Sequence, residues 1–320
     1  MKNKYNGIIP AFYACYDNEG NINPKAIKNF ITYLIEKGVT GVYVGGSSGE
    51  CIYQSVKERK QVLECVMKYA KGKITVIAHV ACNNTADSCE LAAHAEALGV
   101  DAIAAIPPIY FKLPDHAIAE YWNDISAAAP NTDFIIYNIP QLAGVALSID
   151  CLKTMRNNPR VIGVKNSSMA TMDIHTFKST GGENFVVLNG PDEQLVAGLA
   201  IGANGGIGGT YGVMPEVYIN IKQAFDSGNV KYASYLQEKA NEIIMKMCSC
   251  KGNLYAVIKE IIKIRLGIDL GGVRKPLPSL ISEDIVKVKE CAEMIDNLIN
   301  FMEENKSKLD TGKNCNEEIV

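Results

Sequence analysis

The 320-residue chain has no C-x-x-C pair among its ten cysteines, and its four histidines, His79, His94, His116 and His175, are scattered. Neither set offers metal-ligand spacing, so no metal site is expected, and the cysteines read as reduced, buried side chains of a cytoplasmic protein. A basic surplus is missing too. Lys+Arg total 32 against 35 Asp+Glu, a net charge of −3, without the clustered basic footprint of a nucleic-acid partner. No apolar run approaches the ~18 residues of a membrane span. The opening MKNKYNGIIPAFYACYDNEG meets charge and polarity too soon for a signal peptide. G-x-x-x-x-G-K-[ST] does not occur, and GANGGIGGTYG lacks G-x-G-x-x-G, which leaves phosphate-cradling and dinucleotide readings weak.

What is present is 48% hydrophobic and 21% charged residues, an ordinary mixture with ample material for a large core. Eight short apolar segments recur: Gly7 to Ala14, Gly41 to Gly45, Ile74 to Val80, Asp101 to Ile106, Asp133 to Asn138, Val161 to Asn166, Phe185 to Gly190 and Gly205 to Gly209. Such near-continuous apolarity suits strands buried on both faces, as in parallel sheets. The stretches between them read as crossover helices. Pro24 to Lys37 carries Ile27, Phe30, Ile31, Leu34 and Ile35 at helical spacing before Gly38; Val56 to Ala70 and Asp87 to Leu98 repeat the design. Eight β units with seven intervening helices predict an α/β fold, a (β/α)8 TIM barrel; an open doubly wound sheet is the runner-up. After Thr210 the alternation stops, and Tyr218 to Phe225, Val230 to Met247, Leu254 to Leu266 and Ser282 to Met302 read as helices. The expected division is a catalytic barrel over 1–224, a C-terminal helical segment over 225–303 and a polar, disordered tail over 304–320.

In an eight-fold barrel, chemistry lies at the carboxyl ends of the strands. The second strand there ends in GGSSGE (Gly45 to Glu50), the fifth in Tyr137 and Asn138, and the sixth in Lys165 and Asn166. The seventh ends in NGPDE (Asn189 to Glu193) and the eighth in GGTYG. Of 27 lysines, Lys165 is the one that closes the apolar run Val161-Ile162-Gly163-Val164. Burial lowers a lysine's pKa, and a neutral amine is what Schiff-base chemistry requires. A strand-end lysine paired with a carboxylate fits the position equally well. Tyr137 ends the neighbouring strand, where a phenol can move a proton beside the lysine; alone it would read as a half-buried core tyrosine. Gly45 to Gly49 supplies hydroxyls and unhindered N–H groups suited to a carboxylate. It also matches the G-x-S-x-G elbow of serine hydrolases, but no histidine follows the seventh or eighth strand, as that chain order demands.

Taken in order, GVYVGGSSGE, KGKITVIAHVAC, IIYNIPQLAG, GVKNSS, NGPDEQ and GGIGGTYG resemble the N-acetylneuraminate lyases, within the wider family of pyruvate-dependent class I aldolases that includes dihydrodipicolinate synthase. The resemblance spans about residues 5 to 300. It implies that Lys165 forms the Schiff base, that Tyr137 relays the proton, and that Ser47 and Ser48 hold the keto-acid carboxylate. It implies further that Gly190, Asp192 and Glu193 grip a hydroxylated sugar tail, and that Tyr110, in PPIYF, is lent to a neighbouring subunit of a homotetramer. Ser167 and Gly209 match substrate-binding positions, and Glu50 braces its turn. No cofactor, nucleic acid or membrane is implied. The stretch after Y-N-I-P is Gln141-Leu142-Ala143-Gly144, without the arginine of the synthases, which favours sialic acid and pyruvate as ligands over a dicarboxylate. The lyase pattern usually has Thr at Ser48 and Ser167, Tyr at Pro191 and Ser at Gly209. The last two departures leave a related 2-keto-3-deoxy sugar acid as an alternative substrate, and a non-catalytic sensor of sugar acid or pyruvate as the alternative of another class.

Overall fold

The structure, a computed structural model, describes residues 4–310. Its elements alternate as β1 (Ile8–Pro10), α1 (Pro24–Glu36), β2 (Gly41–Val44), α2 (Val56–Ala70), β3 (Thr75–His79), α3 (Thr85–Leu98), β4 (Ala102–Ala105) and α4 (Asp115–Ala127). Then follow β5 (Asp133–Asn138), the short α5 (Pro140–Ala143), α6 (Ile149–Met155), β6 (Val161–Asn166), α7 (Met172–Gly181), β7 (Val186–Asn189) and α8 (Leu195–Ala200). After β8 (Gly205–Gly208) come α9 (Pro215–Asp226), α10 (Val230–Cys248), α11 (Leu254–Leu266) and α12 (Asp284–Asp310). All strand pairs are parallel, in the order β1-β8-β7-β6-β5-β4-β3-β2. A bridge between Ala11 and Tyr43, with the Phe12 N–H donating to the Tyr43 carbonyl at 2.8 Å, joins the two ends. The result is a TIM barrel, and the open-sheet alternative falls away.

Local chemistry sets the helix starts. Asn23 accepts from the Ala26 N–H at 3.1 Å and Pro24 supplies the first helical residue of α1. Ser55 and Glu58 form a reciprocal capping box on α2. Two apolar layers result. The barrel interior holds Ile9, Ala11, Tyr43, Ile77, Ile135, Tyr137, Leu188 and Ile207, while a larger layer lies between strands and helices. Tyr5 closes the amino-terminal end, donating to the Asp101 carbonyl and Asp133 Oδ2, both at 2.8 Å.

Residues 304–310, the first part of the expected polar tail, continue α12. Phe301 and Met302 pack against the core, and Asn305 Nδ2 donates back to the Phe301 carbonyl at 2.8 Å. Low hydrophobicity removes a segment from the core, but Glu, Lys and Leu propagate a helix already begun. Residues 311–320, the rest of that tail, lie outside the described residues.

Candidate active site

A cavity of about 250 Å3 opens at the carboxyl ends of the strands. Its lining includes Ser47, Ser48, Tyr137, Lys165, Ser167, Gly190, Asp192, Glu193 and Gly209. Of the expected site residues, only Tyr110 stands elsewhere. No histidine is among the lining residues, so a serine nucleophile at Ser47 would have no base there.

Lys165 and Tyr137 are register partners on β6 and β5. That pairing puts the Lys165 Nζ 3.8 Å from the centre of the Tyr137 ring. Burial drives the lysine down to about 7, against an opposing pull from the Asp192 carboxylate. A large fraction of the amine is therefore free at neutral pH. Burial pushes the Tyr137 phenol up to about 12, tempered by hydrogen bonds with the Ser167 and Ser47 hydroxyls. The phenol thus keeps its proton in the resting site.

The serine turn follows β2 directly. Gly45 at φ 74° turns the chain, and Ser47–Gly49 form a single 3-10 turn. His79 Nδ1 lies 2.9 Å from the Gly45 carbonyl oxygen; since a carbonyl only accepts, Nδ1 carries the hydrogen. Burial and the neighbouring Arg59 hold that imidazole neutral. Ser48 Oγ donates to the Tyr255 hydroxyl at 3.1 Å. Glu50, at φ 53°, is buried and meets Lys259 of α11, whose Nζ is 2.8 Å from Oε1.

On the far wall, Asp192 accepts from the Gly209 N–H at 3.1 Å and from the Thr210 Oγ1 at 2.6 Å. Burial raises its carboxyl to about 6 despite those bonds. Gly190 has to be a glycine: a Cβ there would stand 2.0 Å from Ser167 Oγ. Gly209 is different, because its Cβ would meet Ser48 Oγ at 3.5 Å and Tyr255 Oη at 3.7 Å, ordinary contact distances. The backbone at Gly209 would therefore accept a Cβ.

The arrangement is a buried free amine, an adjacent proton-holding phenol and a turn of hydroxyls and N–H groups. The sequence profile of the Dihydrodipicolinate synthetase family matches residues 4–307. This chain belongs to that family. Its members include lyases of the class I aldolase type. A curated relative, the N-acetylneuraminate lyase of Mediterraneibacter gnavus, is 64% identical over 91% of this chain and 93% of its own length. The N-acetylneuraminate lyase of Escherichia coli is 33% identical over 92% and 98%. Among solved structures, the wild-type sialic acid aldolase of Ruminococcus gnavus superposes with a TM-score of 0.92 at 63% identity, covering 93% of this chain and 99% of that one.

Several lining residues were not singled out in the sequence. Tyr43 comes from β2, Thr210 follows β8, and Ile244, Leu254 and Tyr255 come from α10 and the start of α11. Thr210 lies in a segment already read as a strand end, whereas Tyr43 lies within the second strand itself and was read only as part of its apolar run. The helical residues carried no such signal. Tyr110 is 89% exposed, at φ 87°, beside the 72% exposed Phe111.

Proposed function

We propose that this chain is an N-acetylneuraminate lyase that reversibly cleaves N-acetylneuraminate to N-acetylmannosamine and pyruvate. The observation that carries the reading is the free amine of Lys165 stacked against Tyr137 in a cavity whose opposite side presents Ser47 and Ser48. Ser47 and Ser48 hold the substrate carboxylate. Lys165 attacks C2, water leaves, and the resulting iminium becomes the electron sink. As the C3–C4 pair flows toward the nitrogen, the C4 hydroxyl proton passes to the Tyr137 oxygen. Tyr137 gives its own proton to the substrate carboxylate, as a phenol that stays protonated must. N-Acetylmannosamine departs as the aldehyde, the enamine takes a proton at C3, and water releases pyruvate from Lys165.

Gln141 and Leu142 line the cavity from α5 where a dicarboxylate site would need a cation, which supports a sugar acid over a second carboxylate. Asp192 and Glu193 supply acceptors for a polyol. The chemistry calls for no metal or organic cofactor. In the same proposal the enzyme works in the cytoplasm as a homotetramer, and Tyr110 reaches a neighbouring subunit's site. Its left-handed backbone and near-complete exposure support that role.

Gly209, which presents no side chain where a Cβ would fit at ordinary contact distances, favours one second reading, a related 2-keto-3-deoxy sugar acid. The test is peptide mass after incubation with N-acetylneuraminate and borohydride. A pyruvate-sized adduct on Lys165 is expected. A whole-sugar adduct alone would point to another substrate or to a sensor, and no adduct even with pyruvate would overturn the aldolase reading.

A further inference from the structure

The Lys165 amine touches a second aromatic face. Tyr43 projects from β2, which lies on the opposite wall of the barrel from β6, yet its ring centre is 4.4 Å from the Lys165 Nζ. The ring crosses the interior and meets Tyr137 edge-on, with centroids 5.7 Å apart and planes at 80°. Room for it is made by the serine turn itself: a Cβ on Gly46 would stand 2.6 Å from Tyr43 Cε1. The phenol oxygen of Tyr43 is buried and has no hydrogen-bond partner among the described residues. The ring, rather than the hydroxyl, is thus the part engaged by its surroundings.

We propose that the Tyr43 ring is a catalytic group that stabilises positive charge on the Lys165 nitrogen, both as ammonium and as the iminium formed with a 2-keto acid. An aromatic face attracts a cation within about 6 Å of its centre, and more strongly where water is excluded. The other groups acting on this nitrogen are few. Asp192 is already occupied by Gly209 and Thr210, His79 on β3 is neutral, and Tyr137 offers a face of its own. Two faces from different strands therefore cover this nitrogen, ready for the charge it carries when protonated or in the iminium. This deepens the proposed function and rests on it for the iminium, but the ammonium contact stands independently.

The experiment replaces ring charge without changing shape. Tyr43→Phe is followed by phenylalanines bearing one, two and three ring fluorines at position 43, each of which weakens the face in turn. Two quantities are read: the apparent dissociation constant for pyruvate, from borohydride-trapped adduct in intact mass, and the pH midpoint for acetylation of Lys165, from peptide mass. Tyr43→Phe should stay within about twofold of the parent. The fluorinated series should weaken pyruvate stepwise, reaching roughly 3- to 30-fold, and should move the Lys165 midpoint downward in the same order. A flat series in both readouts, or a Tyr43→Phe loss as large as that of the trifluorinated ring, would overturn the proposal. If the parent formed no pyruvate adduct while the acetylation midpoint still tracked fluorination, the ring contact would stand and the aldolase reading would fall.

Discussion

Lys165 sits in an apolar wall at the cost of stability. Burial holds its folded value at about 7, against roughly 10.4 in an unfolded chain. Between those values the unfolded chain binds the proton and the folded one does not, so stability rises with pH across the window. The penalty is complete below about 7 and fades as pH climbs toward ~10.4. Lys165→Met should therefore be the more stable protein at pH 6 by on the order of a few kcal/mol, with the gain vanishing near pH 10.5 in urea melts. A gain independent of pH would mean that packing, not the amine, is responsible. Tyr137→Phe should keep the pyruvate adduct and lose cleavage by roughly 10²- to 10⁴-fold, as kcat measured beside borohydride trapping would show. Both residues were legible in the sequence because each ends an apolar run, and because adjacent strands of a parallel barrel place their ends side by side. Tyr43 was not legible as a partner. Alternation gives the face a side chain takes, but not which residue it meets across the interior.

At the scale of elements, the serine turn is held from outside the barrel by α11 and the segment after it. Lys259 Nζ donates to Glu50 Oε1 at 2.8 Å and to the Gly272 carbonyl at 2.7 Å, and the Arg274 backbone N–H donates to Glu50 Oε2 at 2.9 Å. Glu50 and Lys259 are both buried, so losing one partner strands the other's charge. Glu50→Gln should destabilise the protein by about 3–5 kcal/mol and raise the pyruvate KM more than it lowers kcat, because the turn and not the amine is disturbed. Adding Lys259→Met should recover part of that loss, and purely additive effects in chemical denaturation would show that the pair is not coupled. The sequence assigned Glu50 a bracing role but offered no sign of its partner. Periodicity located α11 to the residue, yet helical spacing says nothing about which strand-end turn a buried lysine will reach. The strands themselves were legible to within a few residues, since β-branched runs bounded by polar rims have few other uses.

For the whole molecule, the proposed tetramer makes a distinctive prediction. Lys165→Ala and Tyr110→Ala subunits, each of low activity alone, should regain activity when co-assembled, because a hybrid site can combine one subunit's Lys165 with its neighbour's Tyr110. Mixtures that stay at the average of the two parents would place Tyr110 outside catalysis. The eightfold alternation was readable from composition and spacing because each unit repeats one pattern, whereas the fate of the C-terminal helices was not, since they obey no barrel period. Their bond to Glu50 also fixes an order in time. Glu50 and Lys259 are 209 residues apart, an interval of about 10–40 s at ribosomal speeds of roughly 5–20 residues per second. Until Lys259 has emerged, a nascent molecule carries its acid without its counter-ion, and until Gly205–Gly208 have emerged it carries β1 without the β8 it must pair with. The Lys165 amine is thus made well before the serine turn is braced, and the braced site waits for α11.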